Sequence, residues 1–284
     1  MLQLLSHPLA ADDESDVGIR RVDAPEAGSP RVIPVNEPYI AQHLSLALSD
    51  WATMSRRTAP DYFLSDRYAD VWMPRLRALV LARLGAQSRA VADRYSLRDP
   101  LLAIKEPNGS LGADFVMSVF PRSRLIFLLR DGRDIVDSIV DAHTSGGWLA
   151  GEGLSDDAGD RMAIVQRESF LWVARTQAVQ RAYARHPPDL RIMVRYEQMR
   201  AAASQVTAEL DTWLGIQRGE DWRSSATRWN DFESYPAEAK GPGMPLRAAS
   251  PGLWRENLSV REQTLMHEVM GPKLAELGYD RSAA

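Results

Sequence analysis

The sequence predicts an α/β fold in which helices cover both faces of a central, mainly parallel sheet. Three short runs that are mainly apolar fit buried strands, namely Leu101–Ile104, Leu125–Leu129 and Leu190–Val194, of which the last contains Arg191. Each is too short for a helix, and strands buried on both faces are nearly continuously apolar rather than alternating. Longer segments with apolar residues at helical spacing alternate with these strands. Such alternation is typical of parallel sheets with crossover helices.

The predicted elements follow one another with turn-forming residues between them. Pro121 ends one helical segment and Pro187-Pro188 ends another, because proline cannot continue a helix. Gly146-Gly147 marks a turn, and residues 217–257 show little periodicity. In chain order, we expect an extended run at 31–35, helices at 40–54 and 67–94, a strand at 101–104, a helix at 109–120, a strand at 125–129, helices at 132–143 and 161–185, a strand at 190–194, and helices at 201–214 and 260–277.

Length and composition fit one domain. The chain has 284 residues, of which 45% are hydrophobic and 25% are charged, so a sizeable apolar core is expected. We predict a single α/β domain over residues 1–284, with a helical insert at about 40–95. The formal net charge of −4 gives no indication of a surface that binds nucleic acid.

Residue usage disfavours several kinds of site and location. The chain has no cysteine, which excludes disulfides and cysteine metal sites, and its five His residues lack metal-ligand spacing. No apolar run approaches the roughly 20 residues of a membrane span. The start of the chain lacks the basic region of a signal peptide. We therefore expect a cytoplasmic protein with no membrane span and no metal.

The clearest candidate site follows the strand Leu125–Leu129. Ligands of such sheets bind at the carboxyl ends of strands, and this strand is followed by Arg130-Asp-Gly-Arg133 and then by a helix. Arg130 lies at the strand end, and Ser138 lies about two turns into the helix. A planar guanidinium and a hydroxyl suit a phosphate monoester. The alternative is an Arg–Asp network on the surface, with Asp131 as the helix N-cap.

A helical wheel divides the helix after Arg130 into two faces. One face carries Asp134, Asp137 and Asp141, which we expect to be exposed to solvent. Ser138 falls at the margin between this face and the apolar one. The apolar face consists of Ile135, Val136, Ile139 and Val140.

The segment from Leu128 to Ser138 resembles a known motif. It is similar to the 3′-phosphate-binding motif of sulfotransferases that use 3′-phosphoadenosine-5′-phosphosulfate (PAPS), in which Arg and Ser stand eight apart after a strand. The resemblance covers about residues 30–280 and is closest to the protein-tyrosine sulfotransferases and their bacterial relatives. It extends to Ile104-Lys105-Glu-Pro107, Phe120–Leu129, Arg195-Tyr196-Glu197, Trp254 and Leu277-Gly-Tyr-Asp280.

The resemblance implies a fold and a reaction. The fold would be a P-loop-type, three-layer α/β/α arrangement. The reaction would be in-line transfer of a sulfonyl group from PAPS to a hydroxyl acceptor, without a metal. Residues 43–95 and 145–165 would shape the acceptor pocket. The acceptor class itself is not readable from these segments.

The resemblance also implies which residues bind the nucleotide. Arg130 and Ser138 would bind the 3′-phosphate, and Arg247 would reach the same phosphate from a later loop. Tyr196 would stack on or border the adenine. Two alternatives stay open, since Tyr196 also suits core packing and Arg247 also suits an exposed loop.

The resemblance assigns the catalytic roles to two residues. Lys105, at the end of the strand Leu101–Ile104, would offset negative charge on the sulfonate. Glu37, just before Pro38, would be the general base. A surface Lys at a strand end and a helix-capping Glu are the alternatives. His143 is a further candidate base, although a His at a helix end commonly complements the helix dipole.

One part of the family pattern is missing from the sequence. Sulfotransferases of this kind open with a strand and a Pro-Arg-Ser-Gly-Thr-Thr-like loop, whose amides bind the 5′-phosphosulfate. The segment Leu2–Pro8 resembles the end of the helix that follows this loop. We therefore expect the strand and the loop to be encoded in frame upstream of Met1. Without them, a non-catalytic member that binds a nucleotide or a partner is the alternative. A kinase would need a Gly-Lys-Ser/Thr loop, which is not visible here.

Overall fold

The computed structural model describes residues 32–36, 40, 43, 65–94, 101–143, 158–216, 218–220, 223 and 250–279. Four strands and eight α-helices lie in these ranges. The strands are β1 (Val32–Asn36), β2 (Leu101–Lys105), β3 (Leu125–Leu129) and β4 (Arg191–Arg195). The helices are α1 (Ala69–Arg94), α2 (Ala113–Val119), α3 (Gly132–Ala142), α4 (Ala158–Arg185), α5 (Tyr196–Ala201), α6 (Ala203–Leu214), α7 (Trp254–Asn257) and α8 (Val260–Glu276). The α/β class predicted from the sequence is confirmed.

The strands pair in two groups within the described residues. β1 and β2 are parallel, in a register that sets Val32 beside Leu101 and Asn36 beside Lys105. β3 pairs with β4. The parallel pairing predicted from the apolar runs is therefore found between β1 and β2.

The chain divides into two compact units. The first contains Met1–Leu128, Ala178–Val194 and Ser204–Arg223, and the second contains Leu129–Gln177, Arg195–Ala203 and Ser224–Ala284. The predicted single domain with an insert at 40–95 stays a prediction. Within the described residues, α1 supplies the helical part of that insert.

The first unit has a small core around α1. Val80 and Leu84 of this helix are buried. The helix packs against β1 and against α2. Apolar residues of the strands and of a loop therefore close over one side of α1. The residues packed against Val80 and Leu84 are Ile40, Leu76, Leu102, Ile104 and Phe120.

The second unit is built around α3, which contacts both α7 and α8. α8 begins with a capping box, in which Ser259 and Glu262 exchange hydrogen bonds between side chain and backbone. Arg161 of α4 donates to Glu262 at 3.0 Å. Burial alone would raise the pKa of Glu262, but the hydrogen bonds from Ser259 and Arg161 outweigh it and lower the pKa. The fully buried side chains of this unit include Val136, Val165, Trp254, Met266, Met270 and Leu274.

Most predicted bounds agree with the structure, and the exceptions have local causes. The helix expected at 109–120 is a 3₁₀ turn over Pro107–Gly112 followed by α2. Pro107 suits the first position of such a turn, and Gly109 and Gly112 weaken a regular helix. The helix expected at 40–54 and the first 31 residues lie outside the described residues, except for Ile40 and His43. Within the described ranges, no helix is both long and apolar enough to cross a membrane.

Candidate functional site

Arg130 and Tyr196 meet where β3 and β4 end. Arg130 follows Leu129, the last residue of β3, and Tyr196 follows Arg195, the last residue of β4. The guanidinium carbon of Arg130 lies 4.5 Å from the centre of the Tyr196 ring. This distance is within the range of a cation–π contact. The structure thus brings together two of the residues predicted to bind the nucleotide.

The Nε–H group of Arg130 is a buried donor. It makes no hydrogen bond within the described part of the chain. A buried donor without an acceptor costs free energy, and for a charged guanidinium the cost is larger than for a neutral group. Stacking on Tyr196 occupies a face of the guanidinium and leaves its edge donors available. The arrangement therefore fits a phosphate or another oxyanion as the partner.

The turn from β3 into α3 depends on Gly132. Asp131 is the N-cap of α3, and its carboxylate accepts a hydrogen bond from the backbone N–H of Arg133. A Cβ atom built on Gly132 would lie only 2.5 Å from the ring of Trp172, which is itself buried. The indole of α4 therefore packs directly on the backbone at the start of α3, and glycine is required there.

We expect Gly132→Ala to lower the free energy of unfolding by about 1–3 kcal/mol, as overpacking of a closed core does. The added Cβ would lie within 3 Å of three ring atoms of the buried Trp172, so the indole or the backbone has to shift. Urea unfolding of the two proteins measures the difference. Gly271→Ala is the matched control, because a Cβ there meets nothing within 4 Å. A loss for Gly271→Ala as large as that for Gly132→Ala would contradict the packing argument.

Ser138 lies on α3, as the sequence predicts. It is half-buried and sits about 9 Å along the helix axis from Gly132, by the rise of an α-helix. No side-chain hydrogen bond is found for Ser138 within the described residues. The predicted contact of Ser138 with a 3′-phosphate stays a prediction.

The prediction that the aspartates of α3 face solvent is wrong for two of the three. Asp134 is only 3% exposed, and Asp137 is only 1% exposed. Both oxygens of Asp134 accept a hydrogen bond from the backbone N–H of Gly252, at 2.9 and 3.0 Å. Asp137 accepts one from the Asn257 side chain at 3.1 Å. These carboxylates bind the segment around α7 to α3, and only Asp141 remains partly exposed.

The Arg–Asp network given as the alternative for this segment exists, but it is buried and uses Arg133. The guanidinium of Arg133 donates to both carboxylate oxygens of Asp131, between 2.8 and 3.2 Å. It also stacks on Trp254 at 4.4 Å. Arg133 is 2% exposed, so this pair is internal rather than part of the surface. Asp131 is therefore engaged by Arg133, and Arg130 is not needed for that network.

Burial also changes the proton affinity of Asp134. Its removal from water raises the pKa to about 6, although the hydrogen bond from Gly252 acts in the opposite direction. In the unfolded chain the pKa returns to 3.8. Between these two values the folded chain binds more protons than the unfolded chain. The contribution of Asp134 to stability is therefore greatest below about pH 4 and is lost as the pH rises through about 6.

We expect the free energy of unfolding of the wild type, relative to Asp134→Asn, to fall by on the order of 1–3 kcal/mol between about pH 4 and pH 7. Asn keeps an oxygen for the N–H of Gly252 but does not titrate. Urea unfolding across this pH range measures the difference. Asp189→Asn, at an exposed residue, is the control and should follow the wild type. Parallel pH curves for the wild type and Asp134→Asn would show that Asp134 does not titrate in this range.

Two of the other four predicted site residues lie within the described structure. Lys105 is the half-buried last residue of β2, in the first unit, beside Asn36 of β1. Glu37 and Arg247 lie outside the described residues, so their roles stay predictions. His143 is buried at the end of α3, with its Nδ1 atom 2.9 Å from the carbonyl oxygen of Ile139. This contact favours the helix-end interpretation of His143 over a catalytic one.

Sequence reasoning missed the roles of several residues at this site. The Tyr196-Glu197 pair was matched to a motif, but only Tyr196 was assigned a role. Gly132 stood inside the other motif, from Leu128 to Ser138, without an explanation. These two motifs were therefore the available signals, while nothing local indicated the hydrogen bond from the N–H of Gly252 to Asp134. Among the described residues, no group of three or more His, Asp or Glu side chains could hold a metal ion.

Comparison with known proteins gives one family. The sequence model of the family described as the sulfotransferase family matches residues 22–221, which is most of the chain. This range includes β1 to β4 and the segment from Arg130 to Ser138. No curated protein matches the chain.

Solved structures give more distant likenesses. The mouse sulfotransferase SULT7A1, complexed with PAP, is 13% identical at a TM-score of 0.43, over 63% of this chain and 68% of that one. A retinol dehydratase in complex with androsterone and inactive cofactor PAP is 14% identical at a TM-score of 0.45, over 89% of this chain and 82% of that one. Retinol dehydratase in a complex with retinol and PAP is 14% identical at a TM-score of 0.47, over 89% of this chain and 83% of that one. Likenesses at this level carry no argument about the function of this chain.

Proposed function

Because this chain belongs to the sulfotransferase family, we propose that it transfers a sulfonyl group from PAPS to a hydroxyl acceptor. One observation in the structure supports the proposal in addition to membership of the family. Arg130 has a buried Nε–H without an acceptor and stacks on Tyr196, at the end of β3, where the 3′-phosphate motif predicts an anion. A nucleotide with a 3′-phosphate would supply the missing acceptor.

The nucleotide would be bound mainly by its 3′-phosphate and its base. Arg130 would donate to the phosphate from the edge of its guanidinium, and Ser138 would add a neutral hydrogen bond. Tyr196 would border the adenine on the side of its ring that Arg130 does not cover. Arg247 would add a second positive charge, since it stands five residues before Gly252, whose N–H is bound by Asp134.

The reaction would be a direct displacement at sulfur. The acceptor oxygen forms a bond to sulfur while the bond from sulfur to the bridging oxygen breaks, and 3′-phosphoadenosine-5′-phosphate (PAP) leaves with that electron pair. Glu37 would take the proton of the acceptor hydroxyl. Lys105 would offset negative charge on the sulfonate and the bridging oxygen. Asn36 lies beside Lys105 in the parallel register, and Glu37 is the next residue in the chain, which supports a shared role.

The experiment that tests the proposal follows both products. The protein is incubated with PAPS and a panel of phenols, sugars, sterols and tyrosine peptides, and PAP and sulfonated acceptors are detected by mass spectrometry. We expect PAP to form together with one sulfonated acceptor class. Arg200→Ala serves as the control, because Arg200 is an exposed Arg of α5.

Two other outcomes are informative. Binding of PAP without transfer to any acceptor would favour the non-catalytic, nucleotide-binding alternative. Absence of PAP binding would contradict the proposed function, because the proposal assigns Arg130 to the 3′-phosphate that PAP carries.

A further inference from the structure

Glu197 connects the segment Arg130-Asp131, after β3, to the segment Tyr196-Glu197, after β4. Its Oε1 atom accepts a hydrogen bond from the backbone N–H of Asp131 at 2.9 Å. Asp131 follows Arg130 in the chain, and Glu197 follows Tyr196. Two contacts therefore connect the ends of β3 and β4. One is the stacking of Arg130 on Tyr196, and the other is this hydrogen bond.

The carboxylate of Glu197 is also held from the C-terminal side. The hydroxyl of Tyr279, which follows α8, donates to its Oε2 atom at 3.3 Å. Arg195 stacks on the Tyr279 ring at 5.0 Å and donates to the carbonyl oxygen of Leu277. Burial and the nearby charge of Glu197 raise the pKa of Tyr279, so its phenol stays a donor. Glu197 is thus fixed by partners on two separate segments.

A direct role of Glu197 in binding phosphate is unfavourable. An ionised carboxylate only accepts hydrogen bonds, and its charge repels a phosphate. Its observed partner is a backbone N–H at the residue after Arg130. That bond fixes the peptide from which the Arg130 side chain extends. A bidentate contact tolerates only small displacements of the guanidinium, so the anchor of this peptide matters.

We propose that Glu197 is a positioning residue for Arg130, which sets the affinity for the 3′-phosphate without contacting it. The inference rests on the proposed function, because it takes a nucleotide 3′-phosphate as the ligand of Arg130. Glu197 keeps Arg130 stacked on Tyr196 with its edge donors directed to one ligand. Tyr279 orients the Glu197 carboxylate through its hydrogen bond to Oε2.

The test is a double-mutant cycle on PAP binding, measured by calorimetry with the full chain. Glu197→Ala in the wild type should weaken PAP binding by about tenfold. In the Arg130→Ala background the same change should weaken it by less than about twofold, because the residue through which Glu197 acts is gone. Glu197→Gln keeps an acceptor for the N–H of Asp131 and should stay within about threefold of the wild type.

A purely structural role would give a different pattern. It predicts equal losses for Glu197→Ala in both backgrounds, and that result would overturn the inference. Damage by Glu197→Gln equal to that by Glu197→Ala would overturn it as well. If Glu197→Ala fails to fold, Tyr279→Phe replaces it, with an expected loss of about threefold that also disappears in the Arg130→Ala background.

The same data separate this inference from the proposed function. A wild type that does not bind PAP overturns both. A wild type that binds PAP, loses affinity with Arg130→Ala and is unaffected by Glu197→Ala or Tyr279→Phe overturns only the inference.

Discussion

In a protein that carries the 5′-phosphosulfate loop, Glu37→Gln should lower kcat for sulfonyl transfer by at least about 10²-fold, which is the lower end of what a general base contributes. Gln keeps the size of the side chain and removes its basicity. An acceptor hydroxyl is a weak nucleophile at neutral pH, so its proton must leave as the bond to sulfur forms. The affinity for PAP should hardly change, because the proposed role of Glu37 concerns the acceptor.

The position of Glu37 in the chain agrees with this role. It follows Asn36, the last residue of β1, and it precedes Pro38, which biases it away from helical backbone angles. Ligands of parallel sheets bind at such strand ends. Steady-state rates with a working acceptor measure kcat. Glu220→Gln, at an exposed carboxylate, is the control and should keep normal turnover.

Turnover close to normal in Glu37→Gln would assign the base elsewhere. If Lys105→Ala or His143→Ala then abolished activity, that residue would become the candidate. His143→Ala needs a stability measurement beside the rate, because His143 is buried and lies against the last turn of α3. Its loss would affect the helix as well as any chemistry.

Arg130→Ala should weaken the binding of PAP by about tenfold to a hundredfold, the equivalent of about 1.5–3 kcal/mol for a charge-assisted contact. The loss for 5′-AMP, which has no 3′-phosphate, should be much smaller. Arg130 is half-buried and its Nε–H has no acceptor in the described structure, so no internal hydrogen bond of that group is lost on substitution. Calorimetry with both nucleotides measures the two losses.

Two further variants calibrate this result. Ser138→Ala should show the same preference with a smaller loss, because a neutral hydroxyl contributes less than a guanidinium. Arg200→Ala should leave both affinities unchanged. Equal losses for PAP and 5′-AMP in Arg130→Ala would mean that Arg130 supports the site in general and does not bind the 3′-phosphate.

The strands of this chain are predictable from sequence because they are short, apolar and bounded by turn residues. β3 was predicted at its observed bounds, Leu125–Leu129. The longer helices were predicted nearly as well, with shifts where Gly or Pro changes the first turn, as at Pro107–Gly112. The short helices α5 and α7 were not predicted. These features depend on residues that are neighbours in the chain, which is the information that periodicity contains.

The site was predictable only where a motif marks it. Arg130 could be placed at a strand end by its spacing, but its contact with Tyr196 depends on the pairing of β3 with β4, and Tyr196 was singled out by resemblance alone. The burial of Asp134 and Asp137 could not be predicted, because a helical wheel treats charged residues as exposed. Their partners, Gly252 and Asn257, are more than 100 residues away in the chain.

In the proposed function, Arg130 and Ser138 recognise a phosphate at the 3′ position of the nucleotide. The most direct measurement compares the dissociation constants of adenosine 3′,5′-bisphosphate and adenosine 2′,5′-bisphosphate, which carry the same charge and differ only in the position of one phosphate. We expect the 3′,5′ isomer to bind at least about tenfold more tightly, and the preference to disappear in Arg130→Ala. Equal affinity of the wild type for the two isomers would contradict the claim.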